Sequence, residues 1–212
     1  AVTADDAGEK PDHTVRYTLH RENSDWHELS GGEAAENLLG LTSNTDNPDT
    51  GEKYTYPERL NAVLNGVNST GTALAEKILS DETTDDGVIR IKPEKIGAEG
   101  MYLLIIERDG YLDYTIDNIK ISKTGAEAEY NFGSLVLRAG DLNHDGRIDD
   151  ADMSLFDAVG GVDIDGNKSI NDADLIFILS HWDMTANSSC YRNLSAPNVR
   201  WPATLVHYDP AT

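Results

Sequence analysis

The sequence predicts a two-part fold: a mainly β N-terminal sandwich, then a small all-α domain built from two loop–helix repeats. Three observations carry that reading. Short alternating runs punctuated by Gly and Asp fill residues 14–139. Two acidic twelve-residue segments, starting at Asp141 and Asp163, repeat in the same phase 22 residues apart. Each runs directly into an apolar, helix-compatible stretch.

Taken in order, residues 1–13 are polar and read as a linker. Residues 14–139 form the expected sandwich domain. Its strands fall at 14–19 (TVRYTL), 88–92 (VIRIK), 101–107 (MYLLIIE), 111–122 (YLDYTIDNIKIS) and 134–138 (SLVLR). The pairs Asp86-Gly87, Glu99-Gly100 and Asp109-Gly110 lie where hairpin turns are needed. Residues 59–80 suit either a helix or two strands around a turn, and Gly66 and Gly71 favour the strands. Residues 31–41 allow a short helix, and 42–53 are loop. Residues 140–183 hold the paired acidic repeats. Residues 184–212 form a C-terminal tail whose Tyr191, Trp201 and Tyr208 suggest that part of it packs back.

The chain has 212 residues, with 17 Lys+Arg against 38 Asp+Glu and a formal net charge of −21. Such a surface repels phosphate backbones and anionic membranes, so neither nucleic acid nor membrane insertion is expected. No apolar run approaches 18 residues. Cys190 is the only cysteine, so no internal disulfide forms, and a thiol on a polar tail is expected to be a surface group.

The acidic repeats have the ligand spacing of EF-hand-type calcium loops. The first offers Asp141, Asn143 and Asp145, the carbonyl of Arg147, then Asp149, with Asp152 closing the site from the following helix. The second offers Asp163, Asp165, Asn167, the carbonyl of Ser169, Asn171 and Asp174. Calcium wants six to eight oxygens at flexible distances, and each repeat supplies such a set; two ions are expected. Gly146 at position 6 of the first loop suits the sharp turn, whereas Lys168 stands at that position in the second. The second loop also has one carboxylate fewer, so it is expected to be the weaker site. Ile148 and Ile170, both at position 8, are expected to bridge the two loops.

The phrases G-D-L-N-H-D-G-R-I-D-D-A-D-M-S-L-F and D-I-D-G-N-K-S-I-N-D-A-D-L-I-F-I-L make residues 141–182 resemble a dockerin, the calcium-binding module that docks onto cohesin modules in cellulosomes and related extracellular complexes for polysaccharide degradation. The resemblance implies a loop followed by one helix, twice. The segment 89–137, through G-M-Y-L-L-I-I-E-R-D-G-Y-L-D-Y-T-I-D-N-I-K-I, resembles bacterial carboxypeptidase-regulatory-like β-sandwich modules. A sandwich directly before a dockerin is similar to an X-module–dockerin pair. The spacing of 22 residues leaves no room for the linker helix of most dockerins. Asp150-Ala151 and Asp172-Ala173 replace the hydroxyl pair often found at loop positions 10 and 11.

What the resemblance implies is a non-catalytic adaptor: a monomer that forms a heterodimer with a cohesin of a scaffold protein, in a secreted or cell-surface bacterial setting. Partner contacts are implied on the helices, at Asp150, Ala151, Asp172, Ala173, Ile176, Leu179, Ser180 and Trp182. Met153, Phe156, Leu175 and Ile178 are expected to make the core between repeats. Helix 2 carries Ile176, Leu179 and Trp182 where helix 1 has Ser154, Asp157 and Gly160, which favours one binding orientation.

No Ser-His-Asp or Cys-His arrangement has local support, and the six histidines lack zinc spacing. No enzyme is therefore expected. The competing reading is a carbohydrate-binding or adhesive module stapled by calcium, with Tyr17, Trp26, Tyr54, Tyr56 and Tyr111 as sugar platforms. Asn68, Asn187 and Asn193 begin glycosylation sequons that are incidental in a bacterial protein.

Overall fold

The structure, a computed structural model, describes residues 14–23, 25–26, 51, 54–83, 89, 91, 93–121, 127–130, 132–194 and 205–208. The expected linker at 1–13, the helix proposed within 31–41, the Asp86-Gly87 turn and most of the 88–92 strand lie outside these residues.

The central feature is one mixed five-stranded sheet in the order β2-β1-β3-β4-β6. It comprises β1 (Arg16–Glu22), β2 (Ala75–Glu82), β3 (Gly100–Glu107), β4 (Tyr114–Ile121) and β6 (Tyr191–Asn193). Pairings are antiparallel except the last, where β6 runs parallel to β4. A separate two-stranded ladder joins β5 (Glu127–Tyr130) to β7 (Leu205–Tyr208).

In β1 the burial alternates through Tyr17 and Leu19, then shifts to His20 and Glu22. The register against β2 slips between Leu19 and His20, where β2 carries one extra residue, while the register against β3 runs unbroken from Arg16 to Arg21. Residues Tyr102–Ile106 of β3 and Tyr114–Ile119 of β4 are buried without alternation. Continuous burial means that both faces of these two strands are covered.

The sandwich expected for 14–139 is not what covers them, and this corrects the predicted fold class. The second sheet would have needed strands at 59–80 and 134–138. Residues 134–138 are not strand; Ala139 alone makes an isolated bridge to Tyr111. Residues 56–64 form a helix, α1 (Tyr56–Leu64). Its start is a capping box: the Thr55 side chain accepts from the Glu58 N–H, and the Glu58 carboxylate accepts from the Thr55 N–H, with Pro57 in the first turn. Those two pairings satisfy helix-end donors and outweigh the strand signal of the downstream glycines. Gly66 and Gly71 instead shape the turn that leads, through a Val67–Ala73 bridge, into β2.

The expected all-α unit is corrected as well. Residues 140–183 contain two nine-residue helices, α3 (Asp150–Ala158) and α4 (Asp172–Ser180), after a four-residue α2 (Pro93–Ile96) upstream. They do not close a core of their own. Leu142, Ile148, Ile164, Ile178, Ala186 and Cys190 belong to one buried cluster with Tyr17, Leu60, Leu103, Ile105 and Ile116. The core thus crosses the boundary expected at 139/140. A segment of about forty residues buries too little surface to stand alone, and the sheet supplies the rest.

The start of the tail packs back. The short α5 (Ala186–Ser189) leads into β6, and the Tyr191 hydroxyl donates to Asp117 Oδ2 at 2.8 Å. Cys190, expected at the surface, is fully buried, and burial pushes its thiol up to about 11. Trp201 lies outside the described residues.

Candidate metal centre: two acidic loops with one bonding plan

The two acidic segments fold by the same hydrogen-bond scheme. At position 1, Asp141 Oδ2 accepts from the Gly146 N–H at 3.0 Å, and Asp163 Oδ2 from the Lys168 N–H at 2.8 Å. At position 5, Asp145 Oδ1 accepts from the Arg147 N–H at 2.9 Å, and Asn167 Oδ1 from the Ser169 N–H at 2.8 Å. At position 12, Asp152 Oδ1 accepts from the Leu142 and Asn143 N–H groups, as Asp174 Oδ1 does from Ile164 and Asp165.

Positions 9 and 12 also begin the helices. Asp149 and Asn171 are the N-caps of α3 and α4, each bonded to the N–H two residues on, while Asp152 and Asp174 bond back to the N-cap N–H. The sequence pattern D/N-x-x-D is thus a capping box as well as part of a ligand set. The helix start fixes where the last carboxylate sits.

Positions 3 and 5 carry one Asn and one Asp in opposite order. Asn143 Nδ2 donates to Asp145 Oδ2 at 2.9 Å in the first loop. Asn167 Nδ2 donates to Asp165 Oδ2 at 2.7 Å in the second. The carbonyl of Ser169 accepts from Asn171 Nδ2 at 3.1 Å.

The backbone turns twice through the left-handed region in each loop, at positions 4 and 6. The angles are φ 55° at His144 and 82° at Gly146, then 80° at Gly166 and 68° at Lys168. Each loop therefore has one glycine and one side-chain-bearing residue at these two turns. Lys168 does carry left-handed strain, but His144 carries the counterpart in the first loop, so backbone strain does not rank the second loop below the first.

The carboxylates at positions 1 and 12 are buried: Asp141 is 2% exposed, Asp163 6%, and Asp152 and Asp174 0%. Oxygens of Asp163, Asp165 and Asp174 come within 4.8 Å of one another, and this is the one such trio among the described residues. With protein groups alone around it, the Asp141 carboxyl is pushed up to about 8, by burial first and then by Asp152 and Asp145. Burial likewise raises Asp152. Burial makes these carboxylates costly to ionise, the backbone N–H groups that bond them offset part of that cost, and an all-oxygen donor set is the kind that hard divalent ions prefer.

The expected Ile148–Ile170 bridge is not formed. Ile148 is fully buried, and its N–H donates to the Met184 carbonyl at 3.0 Å while its carbonyl accepts from the Asp183 N–H at 2.9 Å. Ile170 is 55% exposed and rests beside Gly161, where a Cβ would overlap its Cγ2. The segment after α4 has taken the place beside Ile148.

Asp150, Ala151, Asp172, Ala173, Ile176, Leu179, Ser180 and Trp182 are all exposed. Ile176 and Leu179 expose 59% and 53% of their surface. Ile178 is buried in the common core, with Met153 and Phe156 packed partly against it. Of the aromatics considered as sugar platforms, Tyr17, Trp26, Tyr56 and Tyr111 are core, each at most 8% exposed, and Tyr54 is partly buried against that core. The Asn68 sequon is closed in the fold. Its side-chain oxygen accepts from the Thr70 and Thr72 N–H groups, and its amide donates to Asp25 Oδ2.

Tyr56 and Asp113 were not legible as neighbours of the first loop. The Tyr56 ring abuts Gly146, and its hydroxyl hydrogen-bonds Thr115 of β4. Asp113 is pushed up to about 7, by burial and then by Glu107, and its charge is felt by Asp141. No local pattern joins residues 56, 113 and 146.

No protein-family model matches the chain, and no match is found among curated proteins or solved structures. No helix among the described residues is long and apolar enough to cross a membrane.

Proposed function

We propose that this chain is a non-catalytic, calcium-dependent adaptor that binds a partner protein through the doubled loop–helix segment. The observation that carries the reading is the repeated bonding plan, which forms two sets of oxygen ligands 22 residues apart in sequence, each with its position 1 and 12 carboxylates buried. Calcium would be held by Asp141, Asn143, Asp145, the Arg147 carbonyl, Asp149 and Asp152, and by Asp163, Asp165, Asn167, the Ser169 carbonyl, Asn171 and Asp174. Its role is electrostatic: it neutralises carboxylates that repel one another and holds the helix starts in place.

The partner surface in this reading is α4 with Trp182, two residues beyond its end, where Ile176, Leu179 and Trp182 are exposed. Because α3 has Ser154 and Asp157 at the equivalent places, the two repeats present different faces and one orientation is favoured. The dockerin-like motifs make a cohesin module the partner of choice, in an extracellular complex. The burial of Tyr17, Trp26, Tyr56 and Tyr111 argues against the carbohydrate reading.

Calorimetric titration with calcium, followed by a cohesin panel with and without EGTA, tests the proposal. Two calcium equivalents and chelator-sensitive capture by at least one cohesin type are expected. Failure to bind calcium, or calcium binding with no cohesin captured, refutes the metal and the partner parts respectively.

A further inference from the structure

We propose that the first acidic loop, and not the second, clamps the strap formed by residues 183–194 onto the sheet, so that calcium at loop 1 controls whether that strap stays docked. The inference rests on the calcium reading above and adds a regulation that acts through one site only.

The bonds are asymmetric between the repeats. Positions 6 to 8 of loop 1 hold the strap directly. The Gly146 carbonyl accepts from the Ala186 N–H at 2.9 Å, and Ile148 exchanges backbone bonds with Asp183 and Met184. Arg147 Nη2 reaches Asp183 Oδ1 at 2.9 Å. The same positions of loop 2, Lys168 to Ile170, make no backbone bond to a distant segment among the described residues. Loop 2 meets the β3–β4 connection where the Tyr111 hydroxyl donates to the Ile164 carbonyl at 3.1 Å.

From loop 1 the strap continues to the sheet edge. The Cys190 carbonyl accepts from the Thr115 N–H at 2.8 Å, and the Asp117 carbonyl accepts from the Leu194 N–H at 3.0 Å. Between them β6 pairs with β4 over three residues only. A three-residue parallel ladder is marginal without help from its flanks. One flank is the clamp at 146–148.

That clamp hangs between two ligand positions, Asp145 and Asp149. With calcium present both are drawn toward one ion, and the stretch between them has a fixed path. Without it the carboxylates of Asp145, Asp149 and Asp152 repel, and residues 146–148 lose their register. The strap then keeps its short ladder, the Tyr191–Asp117 hydrogen bond and the buried Ala186 and Cys190, and its hold on the edge of β4 at Thr115–Asp117 is weakened. An edge element that loses part of its hold opens at lower free energy than the central strands.

Hydrogen exchange on the full chain, titrated with calcium and with EGTA, tests this, with calorimetry run in parallel. In EGTA, peptides covering 184–194 are expected to exchange about tenfold faster or more, while β3 peptides change about twofold or less. Asp145→Asn keeps the acceptor for the Arg147 N–H but removes charge. It should move the calcium midpoint for strap protection upward by about tenfold, whereas Asp165→Asn in loop 2 should leave it unmoved. Calcium bound at loop 1 with no change in strap protection overturns the clamp, as does a midpoint that follows Asp165→Asn instead. A chain that binds no calcium by calorimetry overturns the metal reading itself, and the clamp with it.

Discussion

Gly146 lies directly against the ring of Tyr56: a Cβ at 146 would overlap Tyr56 Cβ and stand 2.9 Å from its Cγ. The glycine at position 6 of the first loop therefore meets two demands, the positive φ of 82° and the approach of a fully buried aromatic residue. Tyr56 in turn is tied to Thr115 in the middle of the sheet. This contact is how an acidic turn becomes part of a hydrophobic core.

Gly146→Ala should thus cost more than backbone strain alone. Overpacking of this kind costs about 1–3 kcal/mol, with the left-handed penalty added. Urea unfolding at saturating calcium should show a lower midpoint with an unchanged slope.

His144→Gly and Lys168→Gly relieve the two strained turns, one in each loop. Each is expected to stabilise the calcium-loaded chain by up to about 1 kcal/mol, less what glycine loses through the flexibility of the unfolded chain. Equal gains would show that strain is shared between the loops. The check is thermal melting of both variants in calcium. A gain confined to Lys168→Gly would restore the ranking suggested by the sequence.

The raised carboxyls set a pH dependence. Asp141 at about 8 and Asp113 at about 7 hold protons in the folded, metal-free chain that the unfolded chain has already released above about 4. Their contribution to metal-free stability is full below about 4 and is lost as pH rises through about 7 to 8. In EGTA the melting temperature should fall between pH 5 and pH 8. On the proposed calcium reading, the ion would compete with the Asp141 proton, so calcium affinity should rise over the same interval. Asp141→Asn should flatten most of the slope in EGTA.

The apolar residues of α4 should separate by role. Ile178→Ala removes a fully buried side chain and should destabilise the fold by about 2–5 kcal/mol. Ile176→Asp and Leu179→Asp change exposed positions and should leave unfolding within about 0.5 kcal/mol of the parent. If α4 docks a partner, those two abolish capture while Ile178→Ala at low temperature retains it. Pull-down and chemical denaturation on the same preparations decide the matter.

What was legible in the chain was mostly local. The alternation at 14–19 and the apolar runs at 101–107 and 111–122 mark β1, β3 and β4, because side-chain period and turn residues are short-range properties. The acidic repeats and the helices after them were legible for the same reason: ligand spacing and capping use the same few positions. The capping box at Thr55–Glu58 is a local T-x-x-E pattern, but the reading of residues 59–80 rested on Gly66 and Gly71. The strand expected at 134–138 shows the opposite error, since an apolar alternation specifies exposure and burial but not a pairing partner.

By itself, then, the sequence determined the paired oxygen-rich loops, the start of each following helix and the positions of β1, β3 and β4, all of which depend on residues within about twelve positions of each other. Only the tertiary structure decided that these parts form one core and not a sandwich beside a helical unit. It placed Met184 next to Ile148 where Ile170 was expected, set Tyr56 against Gly146, and laid Tyr191–Asn193 on the edge of β4. Those choices follow from burial. The second half of the chain is too small to cover its own apolar residues, and the sheet offered the surface that did.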